Sequence, residues 1–514
     1  MSATADYVTF LTRKGVKLWV DNGQLRYHAK KGTLGGEDLA RLRSLKGEII
    51  AELTGERSAA TDSPPSASVM SPIEAPLSFQ QQWFLNLFET HPSWKATLGY
   101  TFHLTGILDP AALQRSLEDL LRMHASLRTR IVCVGGQWRQ QIAVAGAFAL
   151  HVTQVPGESE SERRHNALLL IQSSGTQELD PTVSPLMRTQ LLRISAQEHF
   201  LRLRIHRLAT DCLGTGQALR DLWASYTRIT QTGSSTSLDA PARYQDYALE
   251  QQATDAAWRS KHAGYWNEYL TGAQPVLWPA RAGAGQSPSG AVSGVLSSLE
   301  GSFGMILSAG LRELGQKTQT LPALVTLTLF VACLSMLCGQ KDLLLPFIIA
   351  GRAAAHEGIV GCFSHIVYLR IRLEDEEGFI ELLKRVSKEF YRAAAFRRDS
   401  GRMVMERPEL LRGALCQWLS WHPADIAASQ TDGPARPLGL EVESLRYQNI
   451  EELTNAPPEK IDLEIQFFDA AGEISALATY RADRFMDGTP HRLMRELRSV
   501  AESAVRDPAA PIVR

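Results

Sequence analysis

The chain has 514 residues, which is too long for one ordinary hydrophobic core and predicts two or three domains. Its formal net charge of −1 argues against nucleic acid as the main partner. The six cysteines form no CxxC pair, which favours a reduced, cytoplasmic protein over a disulfide framework or a metal site. The first fifteen residues include Asp6, Arg13 and Lys14 and lack a long apolar run, so no signal peptide is expected.

Residues 1–57 have the pattern of a small separate unit. Residues 15–20 and 24–28 read as two short strands, and the Asp-Asn-Gly at 21–23 is a turn signal between them. A helix with one apolar face is predicted over residues 37–53. The predicted order is helix, hairpin, helix. A unit of this size buries little surface, which favours a role in binding a partner.

Residues 58–76 are rich in Ser, Ala and Pro, a composition typical of a flexible linker. From Leu77 onward helices and strands alternate, which predicts mixed α/β layers. Asp109 and Pro110 begin a predicted helix, and residues 199–206 alternate as a strand.

One segment, residues 321–338, carries no charge and is nearly long enough to span a membrane. Pro322 at its start and Gly339 just past its end are helix start and stop signals. A helix that is apolar all round is also typical of a core, so we expect a buried helix and no membrane partner.

Four separated segments resemble the condensation domains of nonribosomal peptide synthetases, and they occur in the family's order. Each is weak alone, and together they are specific. They are Leu77-Ser78-Phe79-Gln80-Gln81-Gln82-Trp83-Phe84, His124-Ala125-Ser126-Leu127-Arg128-Thr129, Tyr244-Gln245-Asp246-Tyr247-Ala248, and Gly351-Arg352 followed by Ile359-Val360-Gly361-Cys362-Phe363.

The resemblance implies an α/β (α+β) fold of two chloramphenicol-acetyltransferase-like lobes, residues 77–250 and 251–514, in a V-shaped pseudo-dimer around a central tunnel. Such domains move an acyl group from a carrier protein's phosphopantetheine thioester to an amine or hydroxyl on an acceptor. The phosphopantetheine arm belongs to partner carriers and enters the tunnel, so no covalently bound cofactor is expected here. The identity of the acceptor is left open.

Residues 1–57 resemble the β-hairpin docking domains of the tubulysin-synthetase type. That family captures an acidic short linear motif at the C-terminus of an upstream carrier-protein subunit by strand addition. This unit holds ten Lys/Arg and seven Asp/Glu, which suits an acidic partner. The predicted docking residues are Lys17, Trp19, Arg26, Tyr27, Lys30 and Lys31.

The family's signature, His-His-x-x-x-Asp-Gly, is altered in this chain. The corresponding residues are His206, Arg207, Asp211 and Cys212, so arginine stands where the second histidine is expected. The resemblance makes His206, Arg207 and Asp211 the candidate catalytic residues, although arginine cannot act as a base because its pKa exceeds about 12. The resemblance also implies a structural pair between Asp211 and Arg352.

Ser364, His365 and His422 could line the tunnel, and either histidine could replace the lost base. Two functions therefore stay open: carrier-dependent acyl transfer that forms an amide or ester or releases a chain, and a catalytically silent module that recruits a carrier or a tailoring enzyme. A coenzyme-A-dependent acyltransferase of the same fold would need a histidine where Arg207 stands. Heterocyclisation domains have an Asp-based motif that His206 does not match.

Overall fold

The computed structural model describes two units, residues 1–70 and 71–514. In the first, it describes Leu11, residues 16–21 and 24–28, and Ile49. From residue 73 to 512 it describes all residues except 92–93, 95, 175–177, 236–242, 263, 280–295, 420–438, 446–459, 471 and 486–487.

The predicted hairpin is present in the first unit. Strands β1 (Lys17–Asp21) and β2 (Gln24–His28) pair antiparallel, with Asp21 opposite Gln24 at the turn. Leu11 and Ile49 are helical and fully buried. The rest of the helix predicted over residues 37–53 lies outside the described residues.

The described part of the second unit holds eleven helices. Asp109 caps the helix predicted to begin beside it, because its carboxylate accepts from the amides of Ala111 and Ala112. The helices are α1 (Phe79–Thr90), α2 (Pro110–Met123), α3 (Glu160–Ser174), α4 (Cys212–Thr232), α5 (Tyr244–His262), α6 (Tyr265–Tyr269), α7 (Gly304–Lys317), α8 (Pro322–Cys338), α9 (Phe379–Ala395), α10 (Ser400–Glu406) and α11 (Thr489–Arg506).

Two large sheets carry most of the remaining core. The first has five strands, which are β4 (Thr97–Gly106), β7 (His151–Gln154), β8 (Met187–Arg193), β9 (Glu198–His206) and β14 (Leu440–Leu445). Their order in the sheet is β14-β4-β9-β8-β7, and helices α2 and α4 pack on each other beside it.

The second sheet has six strands, which are β10 (Leu296–Ser302), β11 (Asp342–Ile349), β12 (His365–Arg372), β13 (Gly413–Leu419), β15 (Ile461–Ala470) and β16 (Glu473–Arg481). Their order is β10-β16-β15-β13-β11-β12, and the sheet mixes parallel with antiparallel pairs. Helix α8, with residues 324–334 buried, packs against α9 and α11, so the predicted buried helix is confirmed.

None of the helices in the described part of the chain is by itself long and apolar enough to cross a membrane. Helices α7 and α8 pass that test of length and composition only as a pair, and they are bent by 107° at their junction.

Two strands lie across the domain limits predicted from sequence. Strand β3 (Ile73–Pro76), inside the predicted linker, pairs with β6 (Gln137–Ile142), which also pairs with β5 (Thr129–Val134). Strand β14 comes from the predicted second lobe, yet it pairs with β4 of the first. The backbones come very close there, since a Cβ on Gly106 would lie 2.1 Å from the carbonyl oxygen of Gly439. The two predicted lobes therefore share a sheet.

Candidate functional site

The altered motif occupies the turn that joins β9 to α4. The amide of His206 donates to the carbonyl of Leu186, and the amide of Arg207 donates to the carbonyl of Ala96 (3.0 and 2.9 Å). Helix α4 then begins at Cys212 with Asp211 as its N-cap. The strand therefore ends at the first motif residue and the helix begins directly after the motif's acid, as the pattern predicted.

The imidazole of His206 is buried, with 1% of its surface exposed. Its Nδ1 accepts a hydrogen bond from the amide of Leu208 (3.1 Å), and its ring meets the Phe88 ring edge-on. Burial, and then the nearby Arg207 charge, lowers the pKa of His206 to about 3. The ring is therefore neutral near pH 7, with its proton on Nε2 because Nδ1 is an acceptor.

Asp211 connects α4 to the segment that precedes β12. One carboxylate oxygen accepts from the Arg352 guanidinium (2.6 Å) and from the Gly214 amide (2.7 Å). The other accepts from the Phe363 amide (3.0 Å). Arg352 also donates to the Ile359 carbonyl (2.6 Å). The structure thus brings Asp211 and Arg352 together, and the hydrogen bonds to both carboxylate oxygens fix the orientation of the Asp211 side chain.

Gly214, in the first turn of α4, makes this approach possible. A Cβ at this position would lie 2.7 Å from Thr210 Oγ1 and 3.0 Å from Arg352 Nη2. Sequence reasoning missed this residue, although a glycine in the first turn of a helix is a signal of close approach.

Arg207 is also buried, with its guanidinium over the Trp94 ring at 5.8 Å from the ring centre. It lines a cavity of about 20 Å³, which is roughly the room that one water molecule needs. The cavity is lined by Trp83, Phe84, Arg207, Thr210, Asp211, Cys212, Ile348, Ser364, His365, Ile366 and Gln417. The predicted catalytic residues Arg207 and Asp211 therefore meet the predicted tunnel residues Ser364 and His365 in one place.

Cys212, where the resemblance leads us to expect glycine, is the first residue of α4. Burial raises the pKa of its thiol to about 11, and Gln417 Nε2 lies 3.6 Å from the sulfur. The thiol is therefore protonated near pH 7, which makes it a poor nucleophile. All six cysteines are free. Among the described residues, no group of His, Cys, Asp and Glu side chains could hold a metal ion.

His365 is held by a hydrogen-bond network that includes the opening segment of the resemblance. Gln80 Nε2 donates to His365 Nε2 (2.6 Å) and to the Tyr247 hydroxyl (2.8 Å), and Gln251 Nε2 donates to Gln80 Oε1 (3.1 Å). Burial lowers the pKa of His365 to about 3. Sequence reasoning missed the role of Gln80 and Gln251. The other candidate base, His422, lies outside the described residues.

The ordered sequence segments also meet around Tyr244. Ser78 caps α1, and its hydroxyl lies 2.6 Å from the hydroxyl of Tyr244, which donates to the Cys362 carbonyl (2.6 Å). Gly361 leaves room for the Tyr244 ring, because a Cβ there would lie 2.1 Å from a ring carbon. The first, third and fourth segments therefore form one packed junction beside the cavity.

In the docking unit, Lys17 and Trp19 have exposed side chains on β1, and 46% of the Trp19 surface is accessible. Arg26 lies opposite Trp19 and Tyr27 opposite Leu18 in the strand register. The two remaining predicted docking residues, Lys30 and Lys31, lie outside the described residues.

Comparison with known proteins agrees with this architecture. The family model of the condensation domain matches residues 73–406, and that of the TubC N-terminal docking domain matches residues 5–54. The chain belongs to the condensation-domain family and carries a TubC-type docking domain.

Curated relatives are much longer synthetase proteins. The chain is 27% identical to the chondramide synthase cmdD of Chondromyces crocatus over 80% of this chain and 10% of that protein. It is 29% identical to phosphinothricin tripeptide synthetase PhsB of Streptomyces viridochromogenes over 64% of this chain and 28% of that protein. The chain thus spans less than a third of the length of either relative.

Solved structures confirm the predicted fold class. The condensation domain of the Monacolin K polyketide synthase MokA superposes with a TM-score of 0.69 at 17% identity, covering 86% of this chain and all of that one. The X-domain from teicoplanin biosynthesis gives 0.68 at 21% identity, covering 87% and 99%. The SgcC5 protein of Streptomyces globisporus gives 0.64 at 23% identity, covering 85% and 100%.

Proposed function

We propose that this chain is a catalytically silent condensation-type module that recruits a carrier protein or a tailoring enzyme to a nonribosomal peptide or hybrid assembly line. The observation that carries the proposal is the position of Arg207. It stands where the family's proton acceptor is expected, and it lines a cavity with room for about one water molecule.

The chemistry of acyl transfer explains why Arg207 matters. An amine or hydroxyl that attacks a thioester must lose a proton, and a guanidinium cannot accept it. His206 does not compensate, since its Nδ1 is engaged with the Leu208 amide and burial lowers its pKa to about 3. Loss of general base catalysis typically costs about 10²–10⁴ in rate.

The space around the motif supports the same proposal. Pockets that enclose small ligands usually have volumes of about 300–1,000 Å³. The cavity that Arg207 lines has a volume of about 20 Å³, which is well below that range.

The residues around Arg207 form a network of contacts that supports the fold. The Asp211–Arg352 ion pair and the Gln80–His365 hydrogen bond both join distant parts of the second unit. A buried charged pair that keeps its hydrogen bonds supports a fixed geometry. We infer that the module retains the shape of its family while lacking the base.

The docking unit supplies the connection to the assembly line. We propose that residues 1–57, joined by a linker over 58–76 to lobes at 77–250 and 251–514, capture the acidic C-terminal motif of an upstream carrier subunit. The hairpin of Lys17–Asp21 and Gln24–His28 offers an edge for strand addition, and the unit has ten Lys/Arg against seven Asp/Glu; both features support this assignment. The carrier brings the phosphopantetheine arm and the acyl donor. The setting would be the cytoplasm.

The second candidate is acyl transfer to an amine or hydroxyl without a motif base. One observation favours it: the Arg207 cation and the Ser364 hydroxyl line the same cavity, where they could stabilise an oxyanion. Thioesters are activated, and proximity alone accelerates such reactions.

One experiment separates the two functions. An acyl group is loaded onto the carrier that binds the docking unit, candidate amine and alcohol acceptors are added, and transfer is followed by intact-protein mass spectrometry. The proteins compared are wild type, Arg207→Ala and Arg207→His. If the module is catalytically silent, wild type and Arg207→Ala should both transfer the acyl group no faster than the uncatalysed background. Wild-type transfer that Arg207→Ala abolishes, without loss of folding, would establish the second candidate instead.

A further inference from the structure

A larger groove in the second unit shares no lining residue with the motif cavity. It is formed mainly by residues 143–149, which follow β6, and by residues 179–189, which lead into β8 and form its start, and its volume is about 540 Å³. That volume lies within the range of about 300–1,000 Å³ typical of small-molecule sites. The groove can therefore hold a ligand that the motif cavity is too small to hold.

Much of the groove wall is apolar. Phe148, Leu179 and Met187 contribute buried side chains, while Val144 and Val183 lie at its opening with 60% and 52% of their surfaces exposed. A hydrocarbon body placed here would cover the exposed surfaces of Val144 and Val183, which is favourable by about 25 cal/mol per Å² of apolar surface removed from water.

Two cations lie in the same wall. The Arg128 guanidinium is fixed because Nε donates to the Leu121 carbonyl (3.0 Å) and Nη1 donates to the Ala143 carbonyl (2.9 Å). Arg188 lines the groove with an exposed side chain. Burial and the positive charge of Arg243 lower the pKa of Arg128. Within the part of the chain that the structure describes, neither Arg128 nor Arg188 forms an ion pair with a carboxylate.

The groove also contains one unsatisfied hydroxyl. Thr189 is 6% exposed, and among the described residues its Oγ1 has no hydrogen-bond partner. Such a buried group costs about 1–3 kcal/mol unless something bonds to it. The one acid in the described wall, Asp180, already accepts from the amide and hydroxyl of Thr182 (2.8 and 2.6 Å). The wall also holds His151 and the Ser184 hydroxyl, which donates to the Arg128 carbonyl (2.8 Å). The two arginines therefore outnumber the single acid, and Thr189 adds a hydroxyl without a partner among the described residues.

We propose that this groove binds a small amphipathic carboxylate. The carboxylate lies against Arg128 and Arg188, the apolar body packs on Val144, Phe148 and Val183, and the Thr189 hydroxyl donates to the ligand. The site shares no lining residue with the motif cavity, and it does not depend on whether the module transfers acyl groups.

Decanoate is a suitable probe because it joins a carboxylate to an apolar chain. Titration of the full-length chain by isothermal calorimetry should show saturable binding of one decanoate per chain, weakened by added NaCl because salt screens the charges. Decanol, which has a comparable chain without the charge, should bind at least about tenfold more weakly.

Two variants test whether decanoate binds in the groove. Arg188→Gln should weaken decanoate binding by about tenfold, and Thr189→Val, which removes a hydroxyl without a partner, should weaken it by about threefold. Arg193→Gln on the same strand is the matched control and should leave binding unchanged. The absence of saturable binding would overturn the proposal. Binding that neither Arg188→Gln nor Thr189→Val alters, or that decanol reproduces, would overturn it as well.

Discussion

Asp211 and Arg352 lie 141 positions apart in the sequence and form a buried ion pair with an N–O distance of 2.6 Å. The same carboxylate caps helix α4 and accepts from the amide of Phe363. One side chain therefore joins the motif to the segment that leads into β12. Because all its described partners are backbone amides or Arg352, we assign Asp211 a structural role.

Replacing Asp211 with Asn should destabilise the fold by about 3–5 kcal/mol, since it leaves the Arg352 charge buried without its partner. Urea denaturation measures the change. Glu313→Gln, which breaks the exposed Glu313–Lys317 pair, is the control and should change the stability far less than Asp211→Asn, because exposed ion pairs contribute little. Equal stability of wild type and Asp211→Asn would refute the structural role.

Gly214→Ala should destabilise the chain by about 1–3 kcal/mol, because the added methyl must displace Thr210 or Arg352. Gly146→Ala is a matched control, since a Cβ there meets no atom within 4 Å. Thermal unfolding of both variants tests the prediction. If the two variants unfold at the same temperature, α4 does not require a glycine at this position.

His365 should make stability depend on pH. Its pKa is about 3 in the folded chain and about 6.5 when unfolded, so the unfolded state binds more protons between these values. The neutral His365 ring therefore makes its full contribution to the free energy of unfolding above about pH 6.5, and this contribution falls as the pH drops below that value. We expect wild type to lose stability relative to His365→Asn between about pH 7 and pH 5. Denaturation midpoints at both values measure this, and a pH-independent difference would contradict it.

The cysteines should differ in reactivity. Cys133 is exposed, whereas burial raises the pKa of Cys212 to about 11. Because the thiolate is the reactive form, iodoacetamide near pH 8 should label Cys133 first and leave Cys212 largely unmodified. Peptide mass mapping provides the measurement. Labelling of Cys212 as fast as Cys133 would show that its thiol is activated.

Removal of residues 1–57 should weaken binding to the cognate carrier subunit, and added salt should weaken binding by the full-length chain. Calorimetric titration with the carrier's C-terminal peptide tests this. The matched variant Trp19→Ala should reduce affinity without removing the hairpin. Binding that is unchanged by the deletion would refute the docking assignment.

Much of the site was accessible from sequence because its residues belong to ordered segments. The strand before His206 and the helix after Asp211 correspond to patterns found along the chain, whereas the pairing of Asp211 with Arg352 was implied by the family resemblance. The Gln80–His365 bond could not be predicted in this way, because it joins residues 285 positions apart and neither segment specifies the other.

The pairing of β14, from the second predicted lobe, with β4, from the first, was not predicted for a related reason. A strand's own sequence shows its alternation but not its neighbour, so nothing in residues 440–445 indicates pairing with β4. Composition likewise placed Ile73–Pro76 in a linker, although β6 offers the strand a partner. Both outcomes depend on long-range pairing rather than on local propensity.

The most direct test of the account is acyl transfer by the wild-type chain from its docked, acyl-loaded carrier, followed by intact-protein mass spectrometry. Since Arg207 cannot accept a proton, we predict that the wild-type chain transfers the acyl group no faster than the uncatalysed background. The double variant Arg207→His with Cys212→Gly, which restores the motif that the resemblance leads us to expect, is the comparison. Wild-type transfer well above background that is lost in Arg207→Ala would contradict catalytic silence and assign Arg207 to the reaction.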